Sequence, residues 1–116
     1  MSDLKERTKK FALDVLRHCE VYPNKPAFVV ITRQPMRAAM SVGANYRAAC
    51  RAKSKADFIS KISTVGEEAD ESAFWLEMLE ELHGRKDVER TRRTDEAYQL
   101  VAIMVKSRKT GRGDGA

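Results

Sequence analysis

Residues 54–84, SKADFISKISTVGEEADESAFWLEMLEELHG, carry the strongest periodic signal in the chain. Apolar or small side chains recur there at alternating spacings of four and three residues, at Phe58, Ile62, Val65, Ala69, Ser72, Leu76 and Leu79. This spacing places all of them on one face of an α-helix. Ser54 with Asp57 resembles a capping box, and His83-Gly84 is typical of a helix end. The stretch therefore predicts a long helix over 55–83.

Three further segments show helical spacing and are separated by turn signals. Asp3 with Glu6 resembles a second capping box, and Pro23-Asn24-Lys25-Pro26 ends the first segment. No strand-like alternation persists, so the sequence predicts an all-α fold, an antiparallel up-and-down four-helix bundle. The predicted helices span 3–22, 27–53, 55–83 and 92–108 of a single domain, 1–109, and residues 110–116 are predicted to form a disordered tail.

The predicted second helix contains two unusual residues on its apolar stripe. The stripe consists of Ile31, Pro35, Ala38, Val42, Asn45 and Ala49. Pro35 predicts a kink, or a helix that effectively begins near Gln34, because proline cannot donate the helical hydrogen bond. Asn45 is the one polar residue of the stripe, and a buried amide can fix helix register. We therefore predict a structural role for Asn45 in a polar part of the core.

Composition excludes several classes of protein. The chain has 116 residues, of which 42% are apolar and 34% are charged, as in folded domains. Its longest apolar run, 100–105, is far too short to cross a membrane, and the N-terminal residues do not resemble a signal peptide. Cys19 and Cys50 lack metal-ligand spacing. We expect a cytoplasmic domain with no metal, cofactor or membrane partner.

Charge is distributed unevenly along the chain. Residues 23–56 hold seven basic and no acidic residues, whereas residues 57–89 hold ten acidic and three basic residues. On a helical wheel, four arginines of the second helix form an outward row, at Arg33, Arg37, Arg47 and Arg51. Three interpretations remain open: a solvated face, pairing with acidic helix three in the same chain or in a neighbour, and phosphate binding.

A second apolar face is predicted on helix three. Phe74, Met78 and Leu82 follow helical spacing away from the main stripe, and Trp75 lies beside them. The alternative is a helix end packed on all sides. We favour an oligomer interface, since large exposed apolar patches are rare on monomers.

No catalytic constellation is evident. His18 and His83 are far apart and have no nucleophile at a motif spacing. The acidic residues at 67–71 lack the Glu-x-x-His pairs of a di-metal carboxylate site. The sequence therefore predicts neither an enzyme nor a small-molecule substrate.

Two stretches resemble a known family. They are RQPMRAAMSVGANYRAA at 33–49 in helix two, and the pair 54–61 and 67–76 in helix three. Over about residues 8–105 the chain is similar to the bacterial four-helix-bundle proteins encoded in intervening sequences of 23S rRNA genes. The resemblance implies an up-and-down bundle that assembles as a homopentamer and has no established enzymatic activity. Pro35 departs from the family pattern, which has an aliphatic residue there.

A related branch comprises the accessory variability proteins of diversity-generating retroelements. These form basic pentameric barrels that bind nucleic acid and a reverse transcriptase. The present sequence is more similar to the intervening-sequence branch.

Two functional hypotheses follow. The first is a non-enzymatic homo-oligomer that binds RNA or DNA, most simply RNA, through phosphate-neutralising side chains at Arg33, Arg37, Arg47, Arg51, Lys53, Lys55, Lys106, Arg108 and Lys109. The second is a protein-interaction module in which basic helix two meets acidic helix three of a neighbour, with Phe74, Trp75, Met78 and Leu82 as the interface. Reversing Arg47 and Arg51 to Glu distinguishes them: the first hypothesis loses nucleic-acid binding, the second loses assembly.

Overall fold

The computed structural model describes residues 3–111 as four helices. They are α1 (Leu4–Cys19), α2 (Pro26–Ala49), α3 (Lys55–His83) and α4 (Val88–Gly111). Short connections join them, and each helix packs against the next one along the chain. The last helix returns to α1 through the smallest contact surface of the four. The predicted all-α four-helix bundle is confirmed.

Helix α3 follows the sequence prediction most closely. It begins after Ser54, whose hydroxyl accepts a hydrogen bond from the Asp57 amide at 3.0 Å. The Asp57 carboxylate accepts from the Lys53 amide rather than completing a capping box with Ser54. The helix ends at Gly84, whose φ of 71° is the left-handed conformation that glycine adopts without strain. Its predicted stripe is buried, except for the half-buried Phe58.

Helix α2 continues through Pro35. It begins at Pro26, so one of the two predicted effects of Pro35, a start near Gln34, is wrong. The other effect, a kink, stays a prediction. Pro35 cannot donate to the Ile31 carbonyl, but its ring is fully buried in the bundle. Burial of this apolar ring offsets the lost hydrogen bond, and the helix is retained.

Other helix boundaries differ from the prediction by a few residues. Helices α1 and α2 end at Cys19 and Ala49, where i to i−3 hydrogen bonds form turns before the expected ends at 22 and 53. Helix α4 begins at Val88, because the Asp87 carboxylate accepts from the amides of Glu89 and Arg90.

The two chain ends also depart from the prediction. Asp3 precedes α1 but makes no side-chain capping hydrogen bond, so the first capping box does not form. Helix α4 includes Thr110 and Gly111, which the prediction assigned to the tail, and residues 112–116 lie outside the described residues.

The core is built by small residues that let the helices approach and larger ones that fill the centre. Ala38, Ala39, Ala69 and Ala73 are fully buried. The main cluster takes side chains from all four helices, including Phe11, Val15, Val42, Ile62, Val65, Leu100 and Met104. A smaller cluster of Ile31, Leu76 and Leu79 lies where α2 begins and α3 ends.

Candidate nucleic-acid interface

Three close contacts show which parts of the four helices share one end of the bundle. The Cα of Gly43 on α2 faces the Thr8 backbone of α1, and Gly66 on α3 faces Met104 on α4. Gly111 at the end of α4 lies against Phe58 near the start of α3. Residues 3–11, 40–66 and 104–111 therefore lie together, and we call them the basic end. Residues 12–39 and 67–103 form the acidic half.

The two parts differ strongly in charge. The basic end holds twelve Lys and Arg residues and three Asp and Glu residues, a net charge of +9. The acidic half holds nine basic and thirteen acidic residues, a net charge of −4. The bundle is thus electrically polar along its length, and a polyanion is attracted to one end only.

Most cations of the basic end are free of ion pairs. Arg7 pairs with Glu96, Lys10 with Asp14, and Lys61 with Asp57. Hydrogen bonds from Lys61 and from the Lys53 amide hold the pKa of the Asp57 carboxyl below its usual value. Nine cations make no ion pair within residues 3–111, and all except the half-buried Arg108 are exposed: Lys5, Lys9, Arg47, Arg51, Lys53, Lys55, Lys106, Arg108 and Lys109.

Seven of the nine predicted phosphate-binding residues lie in the basic end. They are Arg47, Arg51, Lys53, Lys55, Lys106, Arg108 and Lys109, which the sequence presents as two separate clusters. Arg33 and Arg37 lie in the acidic half. Arg37 pairs with Glu71 and, at 3.5 Å, with Glu68 of α3, so in-chain pairing is the correct interpretation for this arginine.

Sequence reasoning missed Lys5 and Lys9. They lie in the first turns of α1, which the up-and-down topology places beside the end of α2. The basic residues within 5–10, taken together with the predicted topology, could have indicated that Lys5 and Lys9 lie beside the end of α2.

Comparison with known proteins agrees with this architecture. A sequence model described as 23S rRNA-intervening sequence protein matches residues 2–107. The chain belongs to this family. It is similar to a crystal structure described as a protein with unknown function from the S23 ribosomal protein family of Bacteroides thetaiotaomicron, with 26% identity and a TM-score of 0.83. The match covers 92% of this chain and 99% of the other. No curated protein matches the chain.

One groove of the bundle lies between α1 and α2. Its volume is about 520 Å³, and its apolar lining includes Leu13, Leu16 and Met40. Four of the free cations line it as well: Lys5, Lys9, Arg47 and Arg51. We call it the α1–α2 groove.

The predicted interface residues form an exposed cluster on α3, which we call the α3 apolar patch: Phe74, Trp75, Met78 and Leu82. Phe74 is 50% exposed, Met78 41% and Leu82 44%. Trp75 is half-buried, packs edge-on against Phe74 and donates from Nε1 to Glu71. Trp75, Met78 and Leu82 line an open groove of about 780 Å³ together with Val30 of α2. Their role in an oligomer stays a prediction.

Asn45 occupies a different environment from the predicted polar core position. It is half-buried, and its Nδ2 donates to the Ser41 carbonyl at 2.9 Å and to the Ser41 hydroxyl at 2.8 Å. These hydrogen bonds lie within α2, so they stabilise that helix locally and do not fix its register against another helix.

A buried polar cluster closes the opposite end of the bundle. Arg90, only 1% exposed, donates to the Tyr22 hydroxyl at 2.8 Å and to the Arg85 carbonyl. The His18 Nε2 lies 2.8 Å from the same hydroxyl. Burial lowers the pKa of His18 and raises that of Tyr22. Nothing in the sequence pattern indicated a buried arginine here.

The remaining chemistry of residues 3–111 is sparse. No three His, Cys, Asp or Glu side chains in this part of the chain converge as metal ligands. Cys19 is buried, which raises the pKa of its thiol to about 12 and makes it a poor nucleophile. None of the four helices is long and apolar enough to cross a membrane.

Proposed function

We propose that this protein is a non-enzymatic homo-oligomer that binds RNA in the cytoplasm through the basic end. The observation that carries the proposal is the concentration of nine free cations at one end of the bundle. Lys and Arg bind the phosphate backbone of nucleic acids and release its counterions. The pentameric state implied by the family resemblance is the subunit number that we propose.

The recognition is directed at phosphate rather than at bases. Within the described part of the basic end the aromatic side chains are Phe11, which is buried, and Tyr46 and Phe58, which are half-buried. They therefore offer no exposed platform on which bases can stack. We expect sequence-tolerant binding whose affinity decreases steeply with salt.

The acidic half supplies a matched control. The basic-end variant replaces four exposed lysines by glutamine: Lys53, Lys55, Lys106 and Lys109. The acidic-half variant removes the same number of positive charges at four exposed positions: Arg17, Lys25, Arg33 and Lys86. Binding of a labelled single-stranded RNA should weaken strongly in the first variant and little in the second. Equal weakening in both would refute a localised RNA site.

A second candidate function is a protein-interaction module, and the α3 apolar patch favours it. Under this alternative the basic residues of α2 contact acidic α3 of a neighbour, and RNA binding is incidental. Two variants separate these functions. Under the first proposal the basic-end variant loses RNA binding and keeps the wild-type mass. Under the second, RNA binding does not distinguish the basic-end variant from the acidic-half variant, and the double change Arg47→Glu and Arg51→Glu breaks the assembly.

A further inference from the structure

The charge around the α3 apolar patch argues against a symmetric contact. Residues 67–82 of α3 contain seven acidic and no basic residues, with Phe74, Met78 and Leu82 exposed among them. Two such faces in a two-fold contact would bring like charges together, which is unfavourable. A partner for this face must therefore combine apolar side chains with positive charge.

The α1–α2 groove of the same protein has this chemistry. Leu13 and Met40 are 39% and 49% exposed, although both are apolar. The free cations of the groove lie around them, and Glu6 is the one acidic residue of its lining. Each copy therefore carries both halves of a complementary pair, an apolar face with acidic surroundings and an apolar groove with basic surroundings.

We propose that the α3 apolar patch of one copy docks into the α1–α2 groove of a second copy. This inference rests on the self-assembly part of the proposed function and names its two surfaces. The contact is heterologous, so every copy has one donor face and one acceptor groove, and the assembly grows head-to-tail until it closes into a ring. Opposite charges set the orientation, and apolar contact between Phe74 or Met78 and Leu13 or Met40 supplies the buried centre.

The docking divides the cations of the basic end between two tasks. Arg47 and Arg51 lie at the contact between copies. Lys53, Lys55, Lys106, Arg108 and Lys109 stay outside the groove and are available to RNA. Loss of assembly and loss of RNA binding should therefore respond to different substitutions.

The test measures mass by light scattering after size exclusion for two variants of exposed residues. The patch variant carries Phe74→Ser and Met78→Ser, and the groove variant carries Leu13→Ser and Met40→Ser. Each alone should be a monomer. Mixed in equal amounts, they should form a dimer, because the patch variant keeps its groove and the groove variant keeps its patch. Val21→Ser with Val88→Ser, at apolar positions 70% and 68% exposed, is the control and should keep the wild-type mass.

Circular dichroism shows whether each variant is folded. The double change Arg47→Glu and Arg51→Glu provides a second test of the groove, because it leaves the apolar residues of the groove unaltered. This variant should also be a monomer. A groove variant or an Arg47/Arg51 variant that keeps the wild-type mass overturns the docking inference and leaves self-assembly standing. A monomeric wild-type protein overturns both. An unchanged mass distribution on mixing the two serine variants overturns the head-to-tail arrangement.

Discussion

The salt dependence of RNA binding tests the basic end quantitatively. Each phosphate contact by a Lys or Arg contributes about 0.7 to the slope of log K against log salt concentration for a single strand. If all nine free cations contact phosphate, the slope per chain is about −6. Replacing Lys53, Lys55, Lys106 and Lys109 by glutamine should reduce its magnitude by about 3. The reduction is the same whether or not the other five cations contact RNA.

The assay is fluorescence anisotropy of a labelled single-stranded homopolymer RNA in KCl from about 50 to 200 mM. Over this range the affinity of the wild-type protein should decrease by nearly four orders of magnitude at full engagement, and that of the variant by about a hundredfold. The acidic-half variant should keep the wild-type slope. An unchanged slope in the basic-end variant, or an equal decrease in both variants, would refute the reasoning.

Three further predictions concern stability. Burial lowers the pKa of His18 in the folded protein below its ordinary value of 6.5, which the unfolded chain keeps. Between these two pKa values the unfolded chain binds more protons than the folded one, so stability should fall as the pH drops below 6.5. The urea midpoint of His18→Gln should lack this part of the pH dependence. Gly84→Ala should cost about 1 kcal/mol by chemical denaturation, because φ is 71° there, and Gly84→Asn should cost less. Leu76→Ala removes a fully buried side chain and should cost about 3 kcal/mol, whereas Leu82→Ala, at a position 44% exposed, should cost far less in the isolated chain.

The sequence predicted the helices best where burial alone decides the pattern. In α3 the four-three spacing matched the buried face, because the helix packs through one stripe and leaves the other side to solvent. Helix α4 was predicted to begin late. Its first turn contains the exposed Val88 followed by Glu89 and Arg90, so the periodicity gave no signal, and Asp87 was not recognised as the N-cap. Helix ends depend on such single hydrogen bonds rather than on the period of the core.

The candidate site was predicted in pieces. Lys53 and Lys106 were both assigned to phosphate binding, yet their positions at one end of the bundle depend on the pairing of helices, which charge patterns along the chain do not show. Arg37 was predicted to bind phosphate because a helical wheel shows only that its side chain points outward. The neighbouring helix then decides its partner, and α3 offers Glu68 and Glu71. Arg90 was missed since a charge is ordinarily placed on the surface.

The narrow contact between α1 and α4 gives the bundle a preferred place to open. Two ion pairs span it in the described part of the chain, Arg7 with Glu96 at 2.7 Å and Arg93 with Asp14 at 3.8 Å. Salt screens such partly exposed pairs, so α1 should detach first in local unfolding. Its amides should then exchange with deuterium faster than those of α3, and faster still in high salt. Because α1 forms one wall of the α1–α2 groove, docking of a second copy should slow this exchange.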